Sequence, residues 1–219
     1  MKKIKLQLAL FLAIFSNISI FAQNDEGYIE LPNIYSISFG GGLMVPSVDG
    51  NNNDFFNRNG DCVGYCFTGE WRYYLNPNVG VGLQYDYLNA QLSPDKMHVH
   101  YVHPNITFRY LMSNDKQGLY LSLGIGYMDY QERIYNTKYV GHKYHKGYCG
   151  LSIGLGYEFA IAKGMGGILK MDVLTADWFA NPDGRLFNPD KDYDDGINHS
   201  WFKNHITFVN FGFMLLFGK

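Results

Sequence analysis

Apolar and polar side chains alternate along this chain in eight separate stretches. In each stretch, large apolar residues take every second position, and glycine, a small polar residue or a charged residue stands between them. Successive side chains of a β-strand point to opposite faces, so this period of two predicts eight strands. The stretches are Tyr35–Leu43, Val63–Leu75, Val79–Tyr87, Asn105–Tyr110, Leu119–Tyr127, Leu151–Phe159, Leu169–Val173 and Asn210–Phe217.

The two faces of these predicted strands differ in bulk. One face carries ladders of Leu, Ile, Tyr, Phe and Trp, whereas the other carries Gly, Ser, Thr and a few charges. A soluble eight-stranded barrel, such as a lipocalin, would enclose the large apolar face, but eight strands leave too narrow an interior for it. The pattern therefore predicts an all-β fold, an eight-stranded antiparallel up-and-down transmembrane β-barrel with a small, polar lumen.

The predicted connections between the strands alternate between short and long. The short ones cover residues 76–78, 113–118 and 162–167, and the long ones cover residues 45–61, 89–97, 131–145 and 180–204. Transmembrane barrels of bacteria have short periplasmic turns and long outer loops. We therefore expect the short turns, and with them both termini, on the periplasmic side.

The last predicted strand carries a recognisable motif. Asn210, Gly212, Leu215 and Phe217 follow the spacing polar, glycine, hydrophobic, aromatic. This motif resembles the C-terminal β-signal of bacterial outer-membrane β-barrels, and the whole mature chain resembles the small barrels of the OmpA, OmpX and OmpW types. The resemblance implies insertion by the barrel-assembly machinery, with these residues as the insertion signal.

The amino-terminal end of the chain favours export. Residues 1–5 are basic and residues 6–15 are apolar, and a cleavage region follows, so we predict a signal peptide over residues 1–22 and a mature barrel domain over residues 23–219. A membrane anchor is the alternative, but the apolar run is short for one. Together with the barrel pattern, the signal peptide predicts an outer-membrane protein of a Gram-negative cell.

Composition adds two points to this picture. Aromatic residues make up 17% of the chain, which suits the girdles of a membrane barrel. The formal net charge of −2 is too small to indicate a nucleic-acid partner. The expected partners are outer-membrane lipid and lipopolysaccharide, the latter bridged through an acidic fourth loop, and we expect a monomer.

Seven charged residues fall on the predicted lumen face, near one level of the periplasmic half. Unpaired charges in a narrow, low-dielectric tube would be costly, so we expect them to pair as a structural plug. The alternatives are a gated proton or ion path and a pair of carboxylates that act as acid and base. The residues are Glu70, Arg72, Asp86, Arg109, Glu158, Lys170 and Asp172.

Histidine and cysteine give weaker signals. All seven histidines are predicted at the outer mouth, where amphipathic rings suit the headgroup boundary. His98 and His100 share one strand face, a spacing that could place two imidazoles on a metal or haem, but we expect neither a metal nor a cofactor. Cys62 and Cys66 are too far apart along one strand to bridge, and Cys149 faces the other way. The seven histidines are His98, His100, His103, His142, His145, His199 and His205.

These patterns favour a non-enzymatic outer-membrane barrel with a structural role, or with a surface-interaction role through its long outer loops. One alternative is a narrow channel for small solutes, including apolar ones. Another is an enzyme that modifies outer-leaflet lipid, for which His199, Ser200 and His205 supply candidate residues. That second alternative rests on analogy of fold alone.

Overall fold

Eight antiparallel strands close into a barrel in which each strand pairs with its neighbours in sequence and β1 pairs with β8. The computed structural model describes residues 30–48, 62–112, 115–135, 142–176 and 206–219. The strands are β1 (Tyr35–Val48), β2 (Gly64–Asn76), β3 (Val79–Leu92), β4 (Asp95–Leu111), β5 (Gln117–Ile134), β6 (His142–Ala162), β7 (Met165–Ala176) and β8 (Ile206–Gly218). The predicted fold class is confirmed. The predicted signal peptide and fourth outer loop lie outside the described residues.

No helix in these ranges has the length and the apolar character needed to cross a membrane.

The register fixes the tilt of the strands. When the paired residues are followed once round the barrel from Tyr35, they return to β1 at Val45, so the sheet is staggered by about ten residues. Ten residues of about 3.3 Å, set against eight strand spacings of about 4.8 Å, give a tilt of about 40°. This tilt converts positions along a strand into heights along the barrel axis.

An apolar belt surrounds the lower part of the barrel. On β5 the outward side chains from Leu119 to Tyr127 are all apolar or aromatic, and Asp129 follows above them. That stretch is roughly 30 Å long at about 3.3 Å per residue, or about 23 Å along the axis at this tilt. The apolar band of outer-membrane barrels is about 25 Å tall. Exposed tyrosines mark both edges of the belt, among them Tyr110 below and Tyr65 above.

Above the belt the pattern of the two faces inverts. The outward positions of β4 and β5 become polar, while the inward positions become apolar, as with Met97 and Val99, which are fully buried. The strands thus continue outside the membrane as a barrel with an apolar core. We define this part, residues 88–92, 95–101, 128–134 and 142–150, as the outer extension.

The outer extension corrects two of the predicted loops. The connection predicted as a long loop over residues 89–97 is a tight turn at Ser93 and Pro94, because β3 and β4 pair as far as Leu92 and Asp95. The loop predicted over residues 131–145 is strand at both ends. The prediction was wrong because it required an apolar outward face, which the strands lose once they leave the membrane. Likewise, β1 continues beyond Leu43 to Val48, which is part of the loop predicted over residues 45–61.

The interior has three layers. The upper layer is a buried apolar cluster, the outer core, formed by Met44, Cys66, Leu88, Ala90, Met97, Val99, Tyr101, Met128, Tyr130, Ile134, Tyr148, Leu174, Ala176, Ile206 and Phe208. The middle layer is polar and charged. A small apolar cluster around Ile168, Met214 and Leu216 lies near the periplasmic end. The small, polar lumen predicted from the sequence is therefore wrong for the upper layer, which large apolar side chains fill.

The segment before β1 joins the lower apolar cluster. Leu31 is buried in that cluster, and its N–H donates to the carbonyl of Asp115 at 2.9 Å. The N–H of Ile34 donates to the carbonyl of Lys219 at 2.7 Å. The two ends of the described barrel are thus tied together at the periplasmic side.

Candidate functional site

Arg72 is the centre of the charged middle layer. Its position on β2 alternates with the lipid-facing Trp71 and Tyr73, which turns the guanidinium into the lumen. The Nη2 of Arg72 lies 2.9 Å from Oε2 of Glu70, and its Nη1 lies 2.6 Å from Oε1 of Glu158. All three side chains are at most 1% exposed. A buried charge of this kind is tolerated only because it is paired and hydrogen-bonded.

Arg109 ties the same network to the floor of the barrel. Its Nη1 is 3.5 Å from Oε2 of Glu158 and donates to the carbonyl of Pro32 at 2.8 Å. Its Nε donates to the carbonyl of Pro77, in the first periplasmic turn, at 2.9 Å. The guanidinium carbon also lies 4.0 Å from the centre of the Tyr74 ring, a cation–π distance. Arg109 therefore links the charges to the amino-terminal segment that lies across the periplasmic end.

Lys170 connects the lower charges to the upper ones. Its ammonium lies 3.2 Å from Oδ2 of Asp172 and 3.6 Å from Oε2 of Glu70. It also donates to Oε1 of Gln84 at 2.7 Å. Gln84 in turn donates from Nε2 to Oδ2 of Asp86 at 2.8 Å. The amide of Gln84 thus bridges a cation and a carboxylate across the lumen.

The seven predicted lumen charges all face inward and, with Gln84 between Asp86 and Lys170, belong to one connected network. They are not at one level, however. Arg109 lies near the periplasmic end of β4, whereas Asp86 lies halfway up β3. The prediction of a single level was wrong because the tilt and stagger of the strands spread residues of similar sequence offset over different heights.

His103 is an eighth member of this network. Its Nε2 lies 3.4 Å from Oδ2 of Asp86, its Nδ1 lies 3.2 Å from Oγ of Ser152, and its ring stacks on Tyr101. The side chain is buried in the lumen, so its predicted place at the outer mouth is wrong. β4 begins earlier than the sequence indicated, which puts His103 well inside the barrel. The alternation of positions along β4 could have identified His103 as inward-facing, since it lies on the same face of the strand as Arg109.

Glycines make room for the network on β5 and β6. A Cβ atom at Gly124 would lie 2.2 Å from Nδ1 of His103, and one at Gly156 would lie 2.0 Å from Cε1 of Tyr120. Neither distance is compatible with a side chain at the glycine unless its neighbour moves. Tyr120, which lies under the Arg72 guanidinium at 4.6 Å from ring centre to Cζ, was not identified from the sequence as part of the site. The run of small inward-facing residues opposite Tyr120 could have indicated that a large side chain fills this part of the lumen.

Two residues of the C-terminal motif are on the lumen face of β8 and two are on its outward face. Asn210 is buried in the lumen, and neither atom of its amide has a hydrogen-bond partner among the described residues. Leu215 and Phe217 face outward, and Phe217 stacks on Phe39 of β1 with ring centres 5.6 Å apart. Gly212 pairs with Gly42 across the β1–β8 seam. The motif thus lies on the seam where the first and last strands close the barrel.

The outer-mouth candidates divide between described and undescribed parts of the chain. His98 and His100 lie on the outward face of β4, above the belt. The Nδ1 atom of each ring contacts a tyrosine hydroxyl. Within the described ranges, no three His, Cys, Asp or Glu side chains are grouped closely enough to hold a metal ion. Cys66 faces the lumen and Cys149 faces outward, both as free thiols. His199, Ser200 and His205, named for the enzyme alternative, lie outside the described residues.

Comparison with known structures finds similar proteins. Neisserial surface protein A is similar at a TM-score of 0.59 and 7% identity, covering 84% of this chain and 97% of that one. Ail of Yersinia pestis is similar at a TM-score of 0.49 and 13% identity, covering 85% and 100%. The amino-terminal barrel of Pseudomonas aeruginosa OprF gives 0.48 and 10%, covering 85% and 99%. No curated protein matches the sequence.

The sequence itself matches one family over most of its length. The match covers residues 8–211 and includes all of the described strands except the end of β8. It agrees with the closed barrel described above. The chain belongs to the outer membrane protein beta-barrel domain family.

Proposed function

We propose that this protein is a closed, non-enzymatic outer-membrane barrel whose role is structural and which presents an interaction surface outside the cell. The observation that carries the proposal is the filled lumen. Phe208, Met97 and Leu174 of the outer core are fully buried above the charges. Closely packed apolar side chains leave no continuous polar path for a hydrated ion.

The charges beneath the outer core support the same conclusion. Arg72 and Lys170 each contact two carboxylates, and the carboxylates of Glu158 and Asp86 are fully buried. An acid–base pair needs a substrate within hydrogen-bond reach, and these oxygens already contact protein donors. We therefore assign the network to holding the strands in register from inside, where a connected set of buried polar groups rigidifies a unique core.

The surface role is supported by the length of the strands. β5 and β6 span 18 and 21 residues, far more than the 9–11 residues or so that a tilted strand needs to cross the membrane. The additional length raises a rigid barrel above the belt. A filled barrel that projects from the membrane is suited to contact with other molecules rather than to transport.

The assembly role of the C-terminal strand is part of this proposal. Phe217 is outward at the periplasmic end of β8, and the strand closes the barrel against β1. A recognition residue for the assembly machinery has to be accessible before closure, and the end of the last strand meets that need. The motif residues Asn210, Gly212, Leu215 and Phe217 are the proposed insertion signal.

Two measurements, one on refolded protein and one on whole cells, test the proposed function. Refolded protein in a planar bilayer should show no steady current above the bare membrane. Lipid A from cells with and without the protein should give the same mass spectrum. A reproducible current would replace the closed barrel by a channel, and a protein-dependent change of acyl chains would replace it by a lipid-modifying enzyme.

A further inference from the structure

The flank of the outer extension carries polar residues just above the apolar belt. On β5 the outward residues Asp129, Gln131 and Arg133 follow the last belt residue, Tyr127. At about 3.3 Å per residue and a tilt of about 40°, Asp129 lies roughly 5 Å and Arg133 roughly 15 Å above it. This flank therefore faces sideways into the headgroup and sugar layer of the outer leaflet.

Basic residues lie side by side across this flank. Lys96 on β4 is the direct partner of Arg133 on β5. Like charges directly opposite one another destabilise a sheet. The adjacent carboxylates of Asp95 and Glu132 are buried on the inward face. Among the described residues, neither Lys96 nor Arg133 forms an ion pair, so the row is a site of uncompensated positive charge.

Ordered aromatic rings lie directly below this row. The Tyr87 ring packs against His98 and His100, with ring centres 6.1 Å and 5.1 Å apart. The hydroxyl of Tyr87 is 3.0 Å from Nδ1 of His98, and that of Tyr85 is 2.8 Å from Nδ1 of His100. These contacts fix flat rings with polar edges on the outside of the barrel, a surface suited to packing against a sugar ring.

The one carboxylate on this face among the described residues is already engaged. Asp129 lies 2.5 Å from Nε2 of His145 and accepts a hydrogen bond from Gln131 at 2.8 Å. Partial burial, and after it the positive charges around it, lower the pKa of His98, which lies above the belt. His98 is therefore mainly neutral at pH 7, and the anion-binding charge rests on the basic row.

We propose that this flank binds the phosphate-bearing sugar headgroup of an outer-leaflet glycolipid, lipopolysaccharide. Lys96 and Arg133 take a phosphate, for which the planar guanidinium offers paired donors. The Tyr87 and His98 rings pack against the adjoining sugar. The occupant is a membrane lipid because the site faces sideways, immediately above lipid-facing side chains, and its charge complements the phosphate. This binding site goes beyond the proposed structural role and does not depend on whether the lumen is closed.

The test compares glycolipid binding by matched variants in the refolded protein. Wild type, the double variant Lys96→Gln/Arg133→Gln, and the charge-keeping variant Lys96→Arg/Arg133→Lys are titrated in detergent with bis-phosphorylated rough lipopolysaccharide. Bound glycolipid is counted by native mass spectrometry. Lys116→Gln/Lys163→Gln, at the periplasmic end, removes the same charge away from the site. The faster migration of unboiled samples on a gel verifies that each variant is folded.

The neutral double variant should bind roughly thirtyfold more weakly than wild type, since each basic residue beside an anionic lipid surface contributes about a fivefold gain in affinity. The charge-keeping and periplasmic variants should bind as wild type does, and enzymatic removal of the phosphates should abolish the difference. Equal binding by wild type and the neutral variant would overturn the proposal. So would undiminished binding of the dephosphorylated glycolipid.

Discussion

Replacing Arg72 with Met is the sharpest perturbation of the lumen network. Methionine keeps much of the side-chain length but removes the charge that holds Glu70 at 2.9 Å and Glu158 at 2.6 Å. Glu70 would keep Lys170 at 3.6 Å, and Glu158 would keep Arg109 at 3.5 Å. Both carboxylates would therefore stay buried with weaker partners.

The expected loss follows from these remaining contacts. Removing one partner of a buried ion pair costs about 3–5 kcal/mol, because it strands the other charge. We expect Arg72→Met to lower the free energy of unfolding by an amount in that range. Adding Glu158→Gln should recover about 1–2 kcal/mol, because residues in one network couple on that scale and the second change removes a stranded charge.

Urea unfolding of refolded protein in detergent, followed by tryptophan fluorescence, measures both effects. Arg133→Met is the matched control, since its guanidinium is exposed on the outer flank and should change stability by less than about 1 kcal/mol. If Arg72→Met costs no more than Arg133→Met, the buried pairs do not stabilise the barrel. If Glu158→Gln adds its own full cost to that of Arg72→Met, the two residues are not coupled, and the reasoning is refuted.

Three further predictions concern packing and assembly. Phe208→Ala should lower the free energy of unfolding by about 3–5 kcal/mol through the cavity it leaves in the outer core, whereas the lipid-facing Phe211→Ala should cost much less in the same urea series. Gly156→Val should cost about 1–3 kcal/mol or more by overpacking against Tyr120, and adding Tyr120→Ala should restore part of the refolding yield; no rescue would show that the strain lies elsewhere. Phe217→Ala should reduce outer-membrane levels and increase degraded periplasmic protein on immunoblots, and normal surface levels would argue against the insertion signal.

The barrel itself was predictable because contact with lipid imposes a simple pattern on the sequence. Wherever a strand faces lipid, every second residue must be apolar, as from Leu119 to Tyr127, and this pattern located all eight strands. This requirement for apolar outward residues applies only to the part of each strand that faces lipid. Above the belt, Lys96 and His98 face water, while Met97 and Val99 face an apolar core. A search for apolar outward residues therefore predicts a polar loop where β4 continues as a strand.

The lumen network was predictable in membership but not in arrangement. Arg72 and Lys170 were identified because each occupies an inward-facing position in the alternation of its own strand. Which carboxylate each contacts depends on the stagger of the sheet, which is a property of closure and not of any one strand. His103 was missed for the same reason, because its depth follows from where β4 begins. The basic row of Lys96 and Arg133 likewise appears only once register pairs the two strands.

The reactivity of the native Cys66 thiol tests the closed lumen most directly. Cys66 is buried in the outer core just above the charges, with its Sγ 3.7 Å from the carbonyl of Leu43. In a Cys62→Ser/Cys149→Ser background, small charged methanethiosulfonate reagents are added to the folded protein in vesicles. A sister variant that keeps only the exposed Cys149 sets the labelling time. The account predicts no labelling of Cys66 until the protein is unfolded by urea, and complete labelling afterwards. Labelling of folded Cys66 as fast as Cys149 would contradict it, because the reagent could reach the thiol only through a water-filled lumen.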